Sequence, residues 1–169
     1  CPNDTVVYRL NPQINGAVVD WQLPSVKHCN PCIETLPGFI YMGEHNGHRY
    51  FCSKGPESWV NAQIICDING GKLAVIEDAD ENQFIASKLN GQTAWIGGTD
   101  RRIEGLFEWH DGTLFKYQNW MPGQPNHVRA NDDFIELFPD GTWNDQDGNE
   151  SREFVCEFTC FDLKQIAGP

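Results

Sequence analysis

The sequence predicts an α+β fold, and three observations predict it. Two amphipathic helical stretches stand early in the chain, no helical pattern follows Thr93, and the remainder alternates short aromatic runs with long loops rich in Gly, Pro, Asn and Asp. At 169 residues, with 40% hydrophobic and 21% charged content, the chain suits one ordinary core plus an appendage.

Residues 1–37 are proline-rich, hold only short apolar runs (5–10 and 17–23) and carry Trp21; they read as a cysteine-containing N-terminal extension. The main domain is expected over 38–160, with a tail at 161–169. Its first elements are two antiparallel strands, 39–42 and 49–52, joined through Asn46-Gly47, a pair that tolerates the positive φ of a tight hairpin. Over 56–66, Trp59, Ala62 and Cys66 fall on one helical face, which predicts the first helix. Asp78-Ala79-Asp80-Glu81 places acids at a helix start, and Asn90-Gly91 stops the second helix. A strand over 72–76 lies between them, and 153–158 is the last strand.

Seven cysteines, at 1, 29, 32, 52, 66, 156 and 160, suit an oxidising compartment and leave one without a partner in the chain. The sequons at Asn3 and Asn149 agree with a secreted, extracellular glycoprotein. Structural staples are favoured over a zinc or redox role for Cys29-Asn30-Pro31-Cys32, although His28 and His45 stand available. A Cys66–Cys156 bridge would close nearly the whole domain, a loop for which chain entropy assigns ~4 to 5 kcal/mol. The pairing of Cys1, Cys29, Cys32, Cys52 and Cys160 stays open.

Twelve Lys and Arg against 24 Asp and Glu give a net charge of -12, which argues against nucleic acid and anionic membrane as partners. No apolar run approaches the ~20 residues of a spanning helix, so membrane insertion is not expected. The five histidines show no metal-hydrolase spacing and no nucleophile elbow occurs, so the chain does not read as an enzyme.

The chemistry concentrates between 131 and 153, where Asp132, Asp133, Glu136, Asp140, Asp145, Asp147, Glu150 and Glu153 face one base, Arg152. Crowded like charge is either solvated or neutralised by a cation. The acids keep company with Gln124-Pro125-Asn126 and Asn144, all hard oxygen donors of the kind that Ca2+ takes six to eight at a time.

Trp95-Ile96-Gly97-Gly98, Phe107-Glu108-Trp109, the run from Asn119 to Asn126, Gly141-Thr142-Trp143-Asn144-Asp145 and Phe154-Val155-Cys156-Glu157 together resemble the C-type lectin-like domain family over roughly residues 38–158. The resemblance implies a double-looped α+β domain with two helices, antiparallel strands and a long calcium-binding loop. It implies a cis Pro125, with Gln124, Asn126, Asp132, Asn144 and Asp145 as metal ligands that also hold a sugar, and with His127 or Arg129 at the edge. Neighbouring hydroxyls of the sugar would bond the ion, donate to carboxylate or amide oxygens and accept from amide NH2 groups. An auxiliary calcium site would use Asp100, Glu104 and Asp133, with His127 where an oxygen ligand is usual.

Members with Glu-Pro-Asn tend toward mannose-type diols and those with Gln-Pro-Asp toward galactose. This chain is a hybrid, and no Trp follows the motif, so mannose, fucose or GlcNAc-type glycans are favoured. The resemblance also marks departures. A second disulfide of the family would fall at Phe134 and Gly148, neither of which can form it, and the displaced Cys52 and extra Cys160 would lie on neighbouring strands, suggesting a bridge. Trp59, Trp95, Trp109, Trp120 and Trp143 read as core anchors, while Trp21 is a candidate for docking the extension or another subunit. The odd cysteine offers a route to a disulfide-linked homodimer. A competing reading keeps the scaffold for a protein, mineral or ice surface, with calcium purely structural.

Overall fold

The computed structural model describes residues 35–129 and 131–159. The N-terminal extension up to 34, with Asn3, Trp21, Cys1, Cys29 and Cys32, and the end of the chain from Cys160, lie outside the described residues.

Strands β1 (Phe39–His45) and β2 (His48–Ser53) form the expected hairpin. Asn46 and Gly47 turn it with φ of 48° and 79°, the two positive values that a tight primed turn needs. Helix α1 (Trp59–Ile68) begins three residues later than the apolar spacing suggested, because Ser58 caps it. Trp59, Ala62 and Cys66 are its buried face, as expected. Helix α2 (Ala79–Ala86) is capped by Asp78, which accepts from Glu81 N–H at 2.8 Å, while Glu81 reaches back to Glu77 N–H at 2.7 Å. The acids at this start therefore cap each other's backbone.

The strand expected over 72–76 is shorter: β3 is Lys72–Leu73. Beyond it, Val75 N–H turns to the Glu157 carboxylate at 3.0 Å, so a side chain replaces the ladder there. The remaining strands are β4 (Ala94–Thr99), β5 (Glu108–Trp109), β6 (Phe134–Leu137), β7 (Trp143–Gln146) and β8 (Glu153–Thr159). The sheet runs β1-β2-β8-β4-β6-β7, with β3 on β8 and β5 on β4. All neighbours are antiparallel except β4 and β8, which are parallel. The architecture is α+β, and no helix among the described residues is long and apolar enough to cross a membrane.

Cys66 and Cys156 are joined, their Cα atoms 5.5 Å apart, tying α1 to β8 across 90 residues. The suggested Cys52–Cys160 bridge is corrected: Cys52 is a buried free thiol directed at Glu153 Oε2, 3.6 Å away, and burial pushes its pKa up to about 12. The strand register explains this. Cys52 stands opposite Val155, and Thr159 stands opposite His48. Thr159, the last described residue of β8, is thus displaced along the strand by about 13 Å from the level of Cys52.

The core has two parts. Trp59, Trp95, Phe134 and Phe154 pack around the disulfide, and Ile85, Ile96, Trp109, Ile135 and Trp143 fill the space beneath the long segment between β4 and β6. Four of the five anchor tryptophans are buried as expected, but Trp120 is only half-buried. Its ring packs on Phe107 at 4.8 Å and on Trp143 at 5.9 Å, while its N–H donates to Gln118 Oε1. Trp143 is the hub: its indole donates to Asn82 Oδ1 of α2, and Asn82 in turn donates to Gly141 O.

Where the family's second bridge would fall, an aromatic ring lies against a glycine. A Cβ at Gly148 would overlap the Phe134 ring, which also packs on Trp59 at 4.6 Å. Gly148 O accepts from Trp59 N–H at 2.9 Å, anchoring the same point to α1. Apolar contact thus closes the base of the long segment without a covalent link.

Candidate functional site

Two segments meet at one end of the sheet: the turn around Pro125 and the strands β6 and β7. The Gln124–Pro125 peptide is cis, and His127 adopts a φ of 46° two residues later. Together they curl the chain so that its N–H groups point at β7. Asp145, 3% exposed, receives them: Asn126 N–H donates to both of its carboxylate oxygens at 3.1 and 3.0 Å, and His127 N–H donates to Oδ2 at 2.8 Å. A buried carboxylate held by backbone N–H groups is a strong, charge-assisted staple.

Asp132 plays a matching part on the other side of the turn. Its Oδ2 accepts from Arg129 N–H at 2.8 Å, whereas its Oδ1 is buried with no hydrogen-bond partner. Gln124 Oε1 is in the same condition. Asn144, next to Asp145, donates its amide to Glu136 Oε1 at 2.9 Å, and Arg152 holds the other Glu136 oxygen at 2.8 Å. This clamp fixes the orientation of the Asn144 amide. Asn126 is exposed, with Oδ1 accepting from Val128 N–H at 3.0 Å.

The other acids of the 131–153 stretch have separate tasks. Asp140 caps its own turn through Thr142, which holds its carboxyl below the ordinary range. Asp147 accepts from Asn149, the exposed sequon residue. Glu136 was not singled out as a site residue from the sequence, and the signal for it was Arg152, the lone base of the stretch, which stands 2.8 Å from Glu136 and 3.6 Å from Glu150.

Asp100 and Glu104 come together as expected, but with His127 in place of Asp133 as the third member. His127 Nδ1 stands 3.0 Å from Glu104 Oε1 and 3.6 Å from both Asp100 Oδ2 and Asp145 Oδ2. Asp133 is tied to this place through its backbone, its carbonyl accepting from Asp100 N–H at 3.1 Å. Burial, with the Glu104 charge nearby, raises the carboxyls of Asp100 and Asp133 above their ordinary values. Arg129, at the rim, donates to Gln146 at 3.4 Å.

Two clefts among the described residues lie away from this turn. One of about 290 Å³ is lined by His48, Lys72, Glu81, Asp111 and Glu157, on the α2 side. The Pro125 turn lines neither of these two clefts.

Comparison with known proteins accounts for this arrangement. A family model described as the lectin C-type domain matches residues 55–158. The galactose-specific lectin nattectin of Thalassophryne nattereri is 37% identical over 119 residues, 66% of this chain and 75% of that protein. The human low affinity immunoglobulin epsilon Fc receptor is 30% identical over 137 residues, and the chain spans 41% of its length. Among solved structures, the cow carbohydrate-recognition domain of CD23, determined in the presence of a GlcNAc2Man3 oligosaccharide, aligns with a TM-score of 0.69 and 31% identity, over 79% of this chain and all of that one. With the family model covering more than half of its length, the chain belongs to the C-type lectin domain family.

Proposed function

We propose that the protein is a secreted lectin that binds terminal sugars through calcium held by Gln124, Asn126, Asp132, Asn144 and Asp145. The observation that carries this reading is the pair of oxygens, Gln124 Oε1 and Asp132 Oδ1, buried without a hydrogen donor. Each unsatisfied polar atom costs about 1–3 kcal/mol, and a hard cation removes that cost for both. The donor set fits the ion: amide and carboxylate oxygens alone, with the loop already shaped by Asp145.

Bound calcium supplies open coordination positions to two neighbouring hydroxyls of the sugar. The chain's own residues do the rest. The amides of Gln124 and Asn126 offer donors and acceptors to the hydroxyl protons and lone pairs, and the Asn144 amide, held by Glu136, presents its carbonyl oxygen without reorganisation. Asp145 keeps the turn in shape by accepting from Asn126 and His127 N–H, and its remaining lone pairs would be available to hold the ion. The hybrid Gln124-Pro125-Asn126 and the absence of Trp immediately beyond it favour mannose, fucose or GlcNAc-type ligands. The cow structure's oligosaccharide belongs to that class, whereas nattectin is galactose-specific. Retention on a mannose resin with calcium and release by a chelator is the expected result; retention indifferent to the chelator would refute the metal-bridged mechanism.

Single sugar contacts are weak, so useful avidity needs several sites. The odd cysteine would supply them in a disulfide-linked homodimer, and non-reducing electrophoresis showing only monomer would remove that element. One observation favours a second reading, in which calcium is structural and the surface binds a protein, mineral or ice: Asn126 Oδ1 is already taken by Val128 N–H. The immunoglobulin receptor among the relatives bears a protein partner in its name.

A further inference from the structure

The second of the two clefts, about 440 Å³ in volume, lies beside the Glu136–Arg152 clamp. Three places build its walls: Gln92 and Thr93 just before β4, Glu136 and Phe138 on and just after β6, and Arg152 and Glu153 where β8 starts. Glu57 and Arg152 exchange both backbone hydrogen bonds, at 2.8 and 3.1 Å, and Glu153 pairs with Ala94. The walls are therefore held by the sheet, not by the long segment.

Glu136 is the wall that this cleft shares with the proposed sugar site. It is 3% exposed; one oxygen accepts from the Asn144 amide at 2.9 Å and the other from Arg152 Nε at 2.8 Å. Strand register sets the scale, with Asn144 opposite Glu136, Glu136 opposite Trp95 and Trp95 beside Phe154. At ~4.8 Å per strand, the cleft runs from about 5 Å to about 14 Å from Asn144. A single sugar held at Asn144 does not cover that distance, whereas the next units of the same glycan do.

The lining selects the kind of unit. A few convergent polar groups against apolar walls characterise small-molecule sites of ~300–1,000 Å³. Here Phe138 and Pro56 supply apolar surface, and the side chains of Gln92, Thr93 and Ser151 make no hydrogen bond among the described residues, so they can give to and take from hydroxyls. Arg152 engages Glu136, Glu150 and Ser151 O through Nε and Nη1, with its guanidinium over the Trp95 ring at 5.8 Å, which leaves Nη2 as an oriented donor. Glu136 already neutralises Arg152, and Glu150 and Glu153 add negative charge beside it, so an anionic sugar is repelled and a neutral one admitted.

We infer that this cleft is a second saccharide subsite, which takes a neutral inner unit of an oligosaccharide whose terminal unit is held at the calcium site; the inference rests on that calcium-dependent reading. The test compares methyl α-mannoside with the GlcNAc2Man3 oligosaccharide on the full chain in calcium, by calorimetry and by the backbone amide resonances of Gln92 and Thr93. Wild type binds the oligosaccharide at least tenfold more tightly, the yield of one or two further net hydrogen bonds, and only the oligosaccharide moves those resonances. In the double variant Gln92→Ala, Thr93→Ala, and separately in Phe138→Ala, the affinity ratio falls at least threefold. None of the three side chains is fully buried, and monosaccharide affinity within twofold of wild type confirms that each variant folds. A smaller fall of the ratio in either variant, including an equal loss for both sugars, would overturn the inference, as would unmoved resonances. Monosaccharide bound in calcium without preference for the oligosaccharide removes the subsite alone; failure of both sugars to bind removes the calcium reading, and the subsite with it.

Discussion

Replacing Asp145 with Asn tests whether the Pro125 turn is shaped before any ion arrives. The carboxylate accepts from the N–H groups of Asn126 and His127 at 2.8–3.1 Å and is 3% exposed. The amide keeps one acceptor but sets an NH2 group against a backbone donor and removes the charge. Hydrogen bonds to charged groups contribute about 1.5–3 kcal/mol each, so losing one outright and weakening the other destabilises the turn by roughly 2–3 kcal/mol. At ~1.4 kcal/mol per decade, amide hydrogen exchange at 126 and 127, measured in chelator, should accelerate about 30- to 150-fold in Asp145→Asn. Exchange within about threefold of wild type would refute the reasoning, because the turn would then owe its shape to something other than this carboxylate.

Other consequences follow from the same contacts. Phe134→Ala removes the ring that closes the base of the long segment and should cost about 3–5 kcal/mol, whereas Gly148→Ala crowds that ring and should cost ~1–3 kcal/mol; thermal unfolding monitored by tryptophan fluorescence distinguishes both from neutral changes. Glu157 hydrogen-bonds His48 and raises the imidazole pKa above 6.5. Folding therefore takes up a proton there, giving stability that is present below pH 6.5 and lost as the pH rises through the raised value. In chelator the Tm should fall over that window, and His48→Gln should flatten the fall; an unchanged slope would contradict it. Asn126→Asp exchanges an amide for a carboxylate in the turn, so a glycan array should show a changed sugar profile, whereas unchanged partner binding with an unaltered array would favour the scaffold reading.

Much of this was legible in the sequence because local chemistry dictated it. Asn46-Gly47 demanded a hairpin, Asp78-Ala79-Asp80-Glu81 announced a helix start, and Cys66 on a buried helical face needed a partner as distant as Cys156. What escaped depended on register and on which side of a strand each residue faces. Cys52 looked available for a bridge, whereas it stands opposite Val155 with its buried thiol directed at Glu153. In the acidic stretch, composition could not separate the turn-capping Asp140 from the buried Glu136 clamped by Arg152. His127 was expected at the rim of the sugar site and where the second metal set usually has an oxygen ligand; the structure sets its backbone N–H on Asp145 and its ring among the carboxylates of Asp100, Glu104 and Asp145.

The central claim is that the buried oxygens of Gln124 and Asp132 await a hard cation that in turn holds the sugar. Calcium titrated calorimetrically into wild type and Asp132→Asn, each then challenged with mannose, tests it most directly. Wild type should take up calcium and bind the sugar only when loaded, and the variant should lose both together. Sugar bound equally in chelator, or calcium uptake untouched by the substitution, would contradict the account.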